Sequence, residues 1–134
     1  MPIANNITLR TIRSATTLTE EYVAGTVLSS GEDFNLLGLE VTFADSLNTA
    51  SLELKIEVSN DGGTNYFQQV SEATSGGTVT VSEAERTFAT PGSYALQITP
   101  IRAKLVRVSV KATGTTTKAL ATVKGFLTNN EIGM

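Results

Sequence analysis

The 134-residue sequence contains no histidine, no cysteine and no tryptophan. Without histidine the chain lacks the commonest general base, the commonest metal ligand and every Ser-His-Asp or Cys-His arrangement. Without cysteine it has neither disulfides nor thiolate metal sites, which fits synthesis in a reducing compartment. Aromatic residues are few, five Phe and three Tyr. That supply is poor for the aromatic-lined cleft in which a glycosidase holds two carboxylates across a sugar. The formal net charge of −3 gives no basic field for nucleic acid. No apolar run approaches the roughly 20 residues that span a bilayer. Met1-Pro-Ile-Ala-Asn-Asn6 has neither the basic region nor the apolar core of a signal peptide, so synthesis in a cytoplasm is expected, with no membrane partner.

The acidic residues are not grouped for chemistry. Glu20 and Glu21 are adjacent and Glu83 and Glu85 are two apart, a pattern read as solvated loop acids. Asp61-Gly62-Gly63 has the residue types of a calcium loop, but calcium takes about six or more oxygens from spaced positions, and no spaced carboxylate set accompanies it. Turn chemistry accounts for it. Gly76-Gly77 is not followed by Lys-Ser/Thr and opens no helix, so it is no phosphate loop. No enzymatic activity, no metal and no cofactor are expected.

What the chain does have is alternation. In Leu52-Glu-Leu-Lys-Ile-Glu-Val58, apolar residues at even positions alternate with charge, the period of a strand with one dry and one wet face. Asn60-Asp61-Gly62-Gly63 then tolerates the positive φ of a turn, and the chain returns through Tyr66-Phe67. Val106-Arg-Val-Ser-Val-Lys-Ala112 repeats the pattern and ends at Gly114. Leu37, Leu39, Val41 and Phe43 share a face, as do Tyr94, Leu96 and Ile98, and Ala121, Val123, Gly125 and Leu127. Leu54, Ile56, Val58, Val106, Val108 and Val110 are predicted inward. Thr74-Ser-Gly-Gly77 marks a further turn before a short strand, Thr78–Val81. The only helix-compatible piece is Val81–Arg86, where Ser82 has the chemistry to cap one turn.

These segments number about eight, with turns at the spacing of a sandwich. The expected fold is all-β: an antiparallel β-sandwich, jelly-roll-like, over residues 31–134. Residues 1–30 read as an N-terminal arm or an edge strand. They lack strict alternation, which a strand lying on its own core should show, and this favours an extended arm. Ile3, Ile7, Leu9, Ile12, Tyr22 and Val23 are then its contacts with a partner, since apolar residues not covered by their own core must be covered by another chain. On that reading, deletion of residues 1–25 leaves a folded sandwich that assembles poorly.

Val58-Ser-Asn-Asp-Gly-Gly-Thr-Asn-Tyr66, Ala103–Gly114 with its Val-Arg-Val strand, and Val123-Lys-Gly-Phe126 together resemble a layout common among bacteriophage virion β-sandwich proteins. The Ser-Asn-Asp-Gly part also resembles discoidin-type modules, in which a Trp usually follows where this chain has Tyr66. Small size, acidity, lack of cysteine and a possible arm make the chain most similar to capsid decoration (cement) proteins. That resemblance implies a non-enzymatic virion protein on the capsid surface, bound to a major capsid protein and assembled as a homo-oligomer, with a trimer favoured. The alternative is a carbohydrate-binding or structural module of a tail, baseplate or head fibre. It expects an exposed aromatic on the Asn60–Tyr66 loop.

Overall fold

Alternation in the sequence becomes alternation in burial along the long strands of the computed structural model, which describes residues 9–29, 34–83, 86–98, 101 and 103–128, with the backbone alone for 70–74 and 79–83. The strands in order are β1 (Arg10–Thr17), β2 (Val23–Ala24), β3 (Leu36–Asp45), β4 (Ala50–Ser59), β5 (Phe67–Gln68) and β6 (Val70–Ser75). They continue with β7 (Thr78–Glu83), β8 (Arg86–Phe88), β9 (Gly92–Ile98), β10 (Leu105–Gly114) and β11 (Ala119–Thr128). Among the described residues there is no helix. Val81–Glu83 belong to β7 and Arg86 opens β8, so the suggested single turn does not form there; Ala84 and Glu85 lie outside the described residues.

Two antiparallel sheets carry the fold. One has the order β1-β11-β3-β9, the other β2-β10-β4-β5, with β8 also on the outer edge of β4. The pairing is nested. The first strand pairs with the last, β2 with β10, β3 with β9, and β4 with β5 and β8. This is the winding of a jelly roll, a long hairpin rolled so that successive strands alternate between two sheets. The expected eight strand positions are present, and the fifth is split. Between its halves, β5 and β8, the hairpin β6–β7 forms a two-stranded ladder of its own. Gly76 and Gly77 close that hairpin at φ of 57° and 81°, the left-handed pair that a two-residue turn demands.

The core lies between the sheets. From β3 come Leu37, Leu39, Val41 and Phe43, and from β4 Leu52, Leu54 and Ile56, all buried. Val106, Val108 and Val110 of β10 lie beside the β4 set on the same inner face, with Val58 partly buried at the rim. Each such side chain contributes about 1.5–3 kcal/mol by leaving water.

Residues 10–28 correct the expectation of an extended arm. β1 is an edge strand laddered to β11, β2 pairs with β10, and Leu28 bridges Val106. Ile12, Leu18 and Leu28 are 3%, 2% and 2% exposed and belong to the chain's own core. The missing alternation has a physical cause. The register to β11 shifts between Thr11 and Arg13 and again between Arg13 and Thr16, and each irregularity resets which side chains face inward. Arg13 spans the second shift, donating to the carbonyls of Thr16 at 3.2 Å and Thr17 at 3.1 Å.

Candidate functional site

The Asn60–Tyr66 turn uses its polar groups internally. The Asp61 carboxylate accepts from the Asn65 backbone N–H at 2.9 Å, from Asn65 Nδ2 at 2.8 Å and from the buried Ser59 hydroxyl at 2.9 Å. Ser59 Oγ in turn accepts from the Gly63 N–H, and Asn60 Oδ1 from the Lys104 N–H across the sheet end. The Asn65 backbone and side-chain bonds, then the one from Ser59, hold the Asp61 carboxyl down to about 2. A carboxylate so occupied closes a turn. Asp45 does the same between β3 and β4, accepting from the N–H groups of Leu47, Thr49 and Ala50 at 2.8–3.1 Å. Burial works to raise its pKa, but the bonds from Ala50, Thr49, Leu47 and Asn48 prevail and hold it below its ordinary value. Among the described residues, no three His, Cys, Asp or Glu side chains gather to hold a metal.

The outer face of the β10–β4 ladder carries a charged array. Register sets Glu57 opposite Arg107, Lys55 opposite Ser109 and Glu53 opposite Lys111. Arg107 donates twice to Glu57 Oε1, from Nε at 3.2 Å and from a terminal nitrogen at 3.1 Å, and Lys111 lies 3.7 Å from Glu53. Two tyrosines cover this array. The Tyr66 ring lies 3.9 Å from the Arg107 guanidinium, and the Tyr22 ring sits 4.5 Å from Lys55 and 4.7 Å from Lys111. Each contact places a cation over a ring face, worth about 0.5–1 kcal/mol at exposed sites.

The outer face of the β1-β11-β3-β9 sheet is different in kind. Exposed Thr42, Ala44, Ser93 and Ala95 and half-buried Thr122 give it a patch of small side chains, beside exposed Gln97 and half-buried Leu120, with Glu40 and Lys124 as opposed charges in register. Gly38 belongs to this face yet is buried, because the Phe126 ring from the adjacent strand occupies the place a side chain would take there. A Cβ added at Gly38 would collide with the far end of that ring.

Of the residues expected as partner contacts, four fall among the described residues. Ile3 and Ile7 lie outside the described residues. Leu9 is 42% and Val23 43% exposed, Ile12 is covered by its own core, and Tyr22 packs on Lys55 and Lys111. Glu20 and Glu21 are exposed, whereas Glu85 and the side chain of Glu83 fall outside the described residues. Phe67, just past the Asn60–Tyr66 loop, is 70% exposed, more than any other large apolar side chain among the described residues. Alternation along Tyr66-Phe67 required the two rings to part, but their assignment needed β5, which turns Tyr66 toward Arg107 and Phe67 to water. Neither a scan of protein-family models nor a search of curated proteins finds a match for this chain.

Proposed function

We propose that this chain is a non-enzymatic structural protein of a bacteriophage virion, a decoration protein that lies on the outer surface of a capsid and braces it through contacts with the major capsid protein. The observation that carries the reading is the outer face of the β1-β11-β3-β9 sheet, where Thr42, Ala44, Ser93, Ala95 and Thr122 present small hydroxyl and methyl groups across three neighbouring strands. Such a face fits a broad protein surface better than a small molecule, which calls for a concave site. The acidic groups support a structural role too. Asp45 and Asp61 close turns, while Glu53 and Glu57 are paired to cations. The test is co-sedimentation with expanded capsids, which should saturate at a fixed stoichiometry. Thr42→Arg with Thr122→Arg places two long cations side by side on the face and should abolish binding while the far-UV circular dichroism stays that of the parent. Capsid binding by that double variant at parental affinity refutes the assignment of the face.

Phe67 favours a second reading, a carbohydrate-binding module of a tail, baseplate or head fibre, since a bare ring next to a turn is a stacking surface for a sugar. Retention on a glycan array that Phe67→Ala abolishes, without capsid binding, would select that reading.

A further inference from the structure

The four edges of the two sheets are protected unequally. On one sheet the edges are β2 and the β5/β8 line, pieces of only two or three residues. On the other, β1 is irregular and carries Arg10 and Arg13. Short strands, register shifts and charges are the devices that keep an edge from pairing with another chain. β9 has none of them. It is seven residues long, Gly-Ser-Tyr-Ala-Leu-Gln-Ile, without a charge or a proline, and its register to β3 runs unbroken from Phe43–Gly92 to Leu37–Ile98. It ends its sheet, so no described strand pairs with its outer side. The edge is also held in shape. The Tyr94 hydroxyl donates to the Thr90 carbonyl, and its ring packs 4.7 Å from that of Phe88. Tyr94 and Leu96 face the core yet remain only half-buried, so apolar surface is left beside the open ladder.

We propose that β9 pairs antiparallel with β9 of a second copy of this chain, joining two four-stranded sheets into one of eight strands. A two-fold axis through Ala95 gives full overlap, with Ser93 of one copy opposite Gln97 of the other and Gly92 opposite Ile98. The absence of charge favours a second copy as the occupant. Two-fold pairing sets a strand against its own sequence, so a charge at the axis would meet its like, and β9 brings none. A three-fold ring, which the likeness to decoration proteins implies, needs two different complementary surfaces. The opposite edge of the same sheet, irregular and basic, does not continue a ladder. This pairing does not rest on the capsid reading: it uses the backbone edge of β9, whereas the capsid contact uses the sheet face, to which Ser93 and Ala95 also contribute side chains, so association is measured on the chain alone.

The test is sedimentation of the full chain from micromolar to millimolar concentration. The parent should pass from monomer to dimer. Ala95→Lys, at an exposed position, should weaken association at least tenfold without lowering the melting temperature of the monomer, and Thr11→Lys on the β1 edge should leave it unchanged. Ser93→Lys with Gln97→Lys should also dissociate the pair. Ser93→Lys with Gln97→Glu should restore association by opposing Lys to Glu twice, with a salt dependence the parent lacks. A parent that stays monomeric throughout, a trimer, or a dimer indifferent to Ala95→Lys and to the Ser93 and Gln97 changes overturns the proposal.

Discussion

Ile12→Ala and Leu18→Ala ask whether the segment before β2 belongs to this chain's own core or is held out for another. Both side chains are almost fully covered, at 3% and 2% exposure, and lie with residues from both sheets. Truncating a buried Ile or Leu to Ala removes its transfer free energy and leaves a cavity, costing about 2–5 kcal/mol. A domain of this size has a net stability on the order of 5–15 kcal/mol, so either change removes a substantial part of it. With a urea slope of about 2 kcal/mol per molar, a loss of about 3 kcal/mol lowers the unfolding midpoint by about 1.5 M. Far-UV circular dichroism follows the transition, and the comparison belongs at one concentration low enough to keep the chain monomeric. An exposed arm residue would change stability by no more than about 0.5 kcal/mol. If both variants unfold within that margin of the parent, the packing of β1 and the segment after it onto the sandwich is wrong. Removal of residues 1–25 should therefore cost the domain its stability rather than leave an intact sandwich.

Ile56→Asp, at a fully buried site opposite Val108, should abolish the cooperative transition altogether, because an unpaired buried charge costs several kcal/mol; a native-like spectrum with a measurable midpoint refutes it. Asp61 has a folded pKa of about 2 against an ordinary 3.8, so its contribution is complete above about pH 4 and disappears as pH falls through about 2. Asp45 shifts the same way. Urea midpoints should fall across that window, and Asp61→Asn should flatten the fall; an equally steep profile in that variant counts against the hydrogen bonds assigned to the carboxylate. The Glu57–Arg107 pair is part-exposed, so a double-mutant cycle should return about 0–1 kcal/mol, and removing Tyr66 should weaken Arg107's contribution by a similar amount. A coupling of several kcal/mol would mean the pair is far drier than the structure shows. Gly38→Val should displace the Phe126 ring and raise binding of a hydrophobic dye to the outer sheet face, and unchanged dye binding would place Phe126 elsewhere.

Where a strand keeps unbroken register with a neighbour and has one dry face, the sequence by itself determined it. β3, β4, β10 and β11 run ten residues each, and their inward sets stood out as a period of two, since each residue faces opposite to the last. The turns at Asp61-Gly62-Gly63 and Gly76-Gly77 were legible for a related reason: few residues accept a positive φ, so their chemistry is local. β1 was legible only as one of two readings, arm or edge strand, because its irregular register breaks the period that announces a strand. The nested order of pairing, the split of the fifth strand around a hairpin, and the uneven protection of the four edges were decided only by tertiary structure. So were the covering of Gly38 by Phe126 and which of Tyr66 and Phe67 is left in water. Each depends on which distant residues become neighbours, and a linear pattern of apolar and polar residues encodes a face without naming what lies beside it.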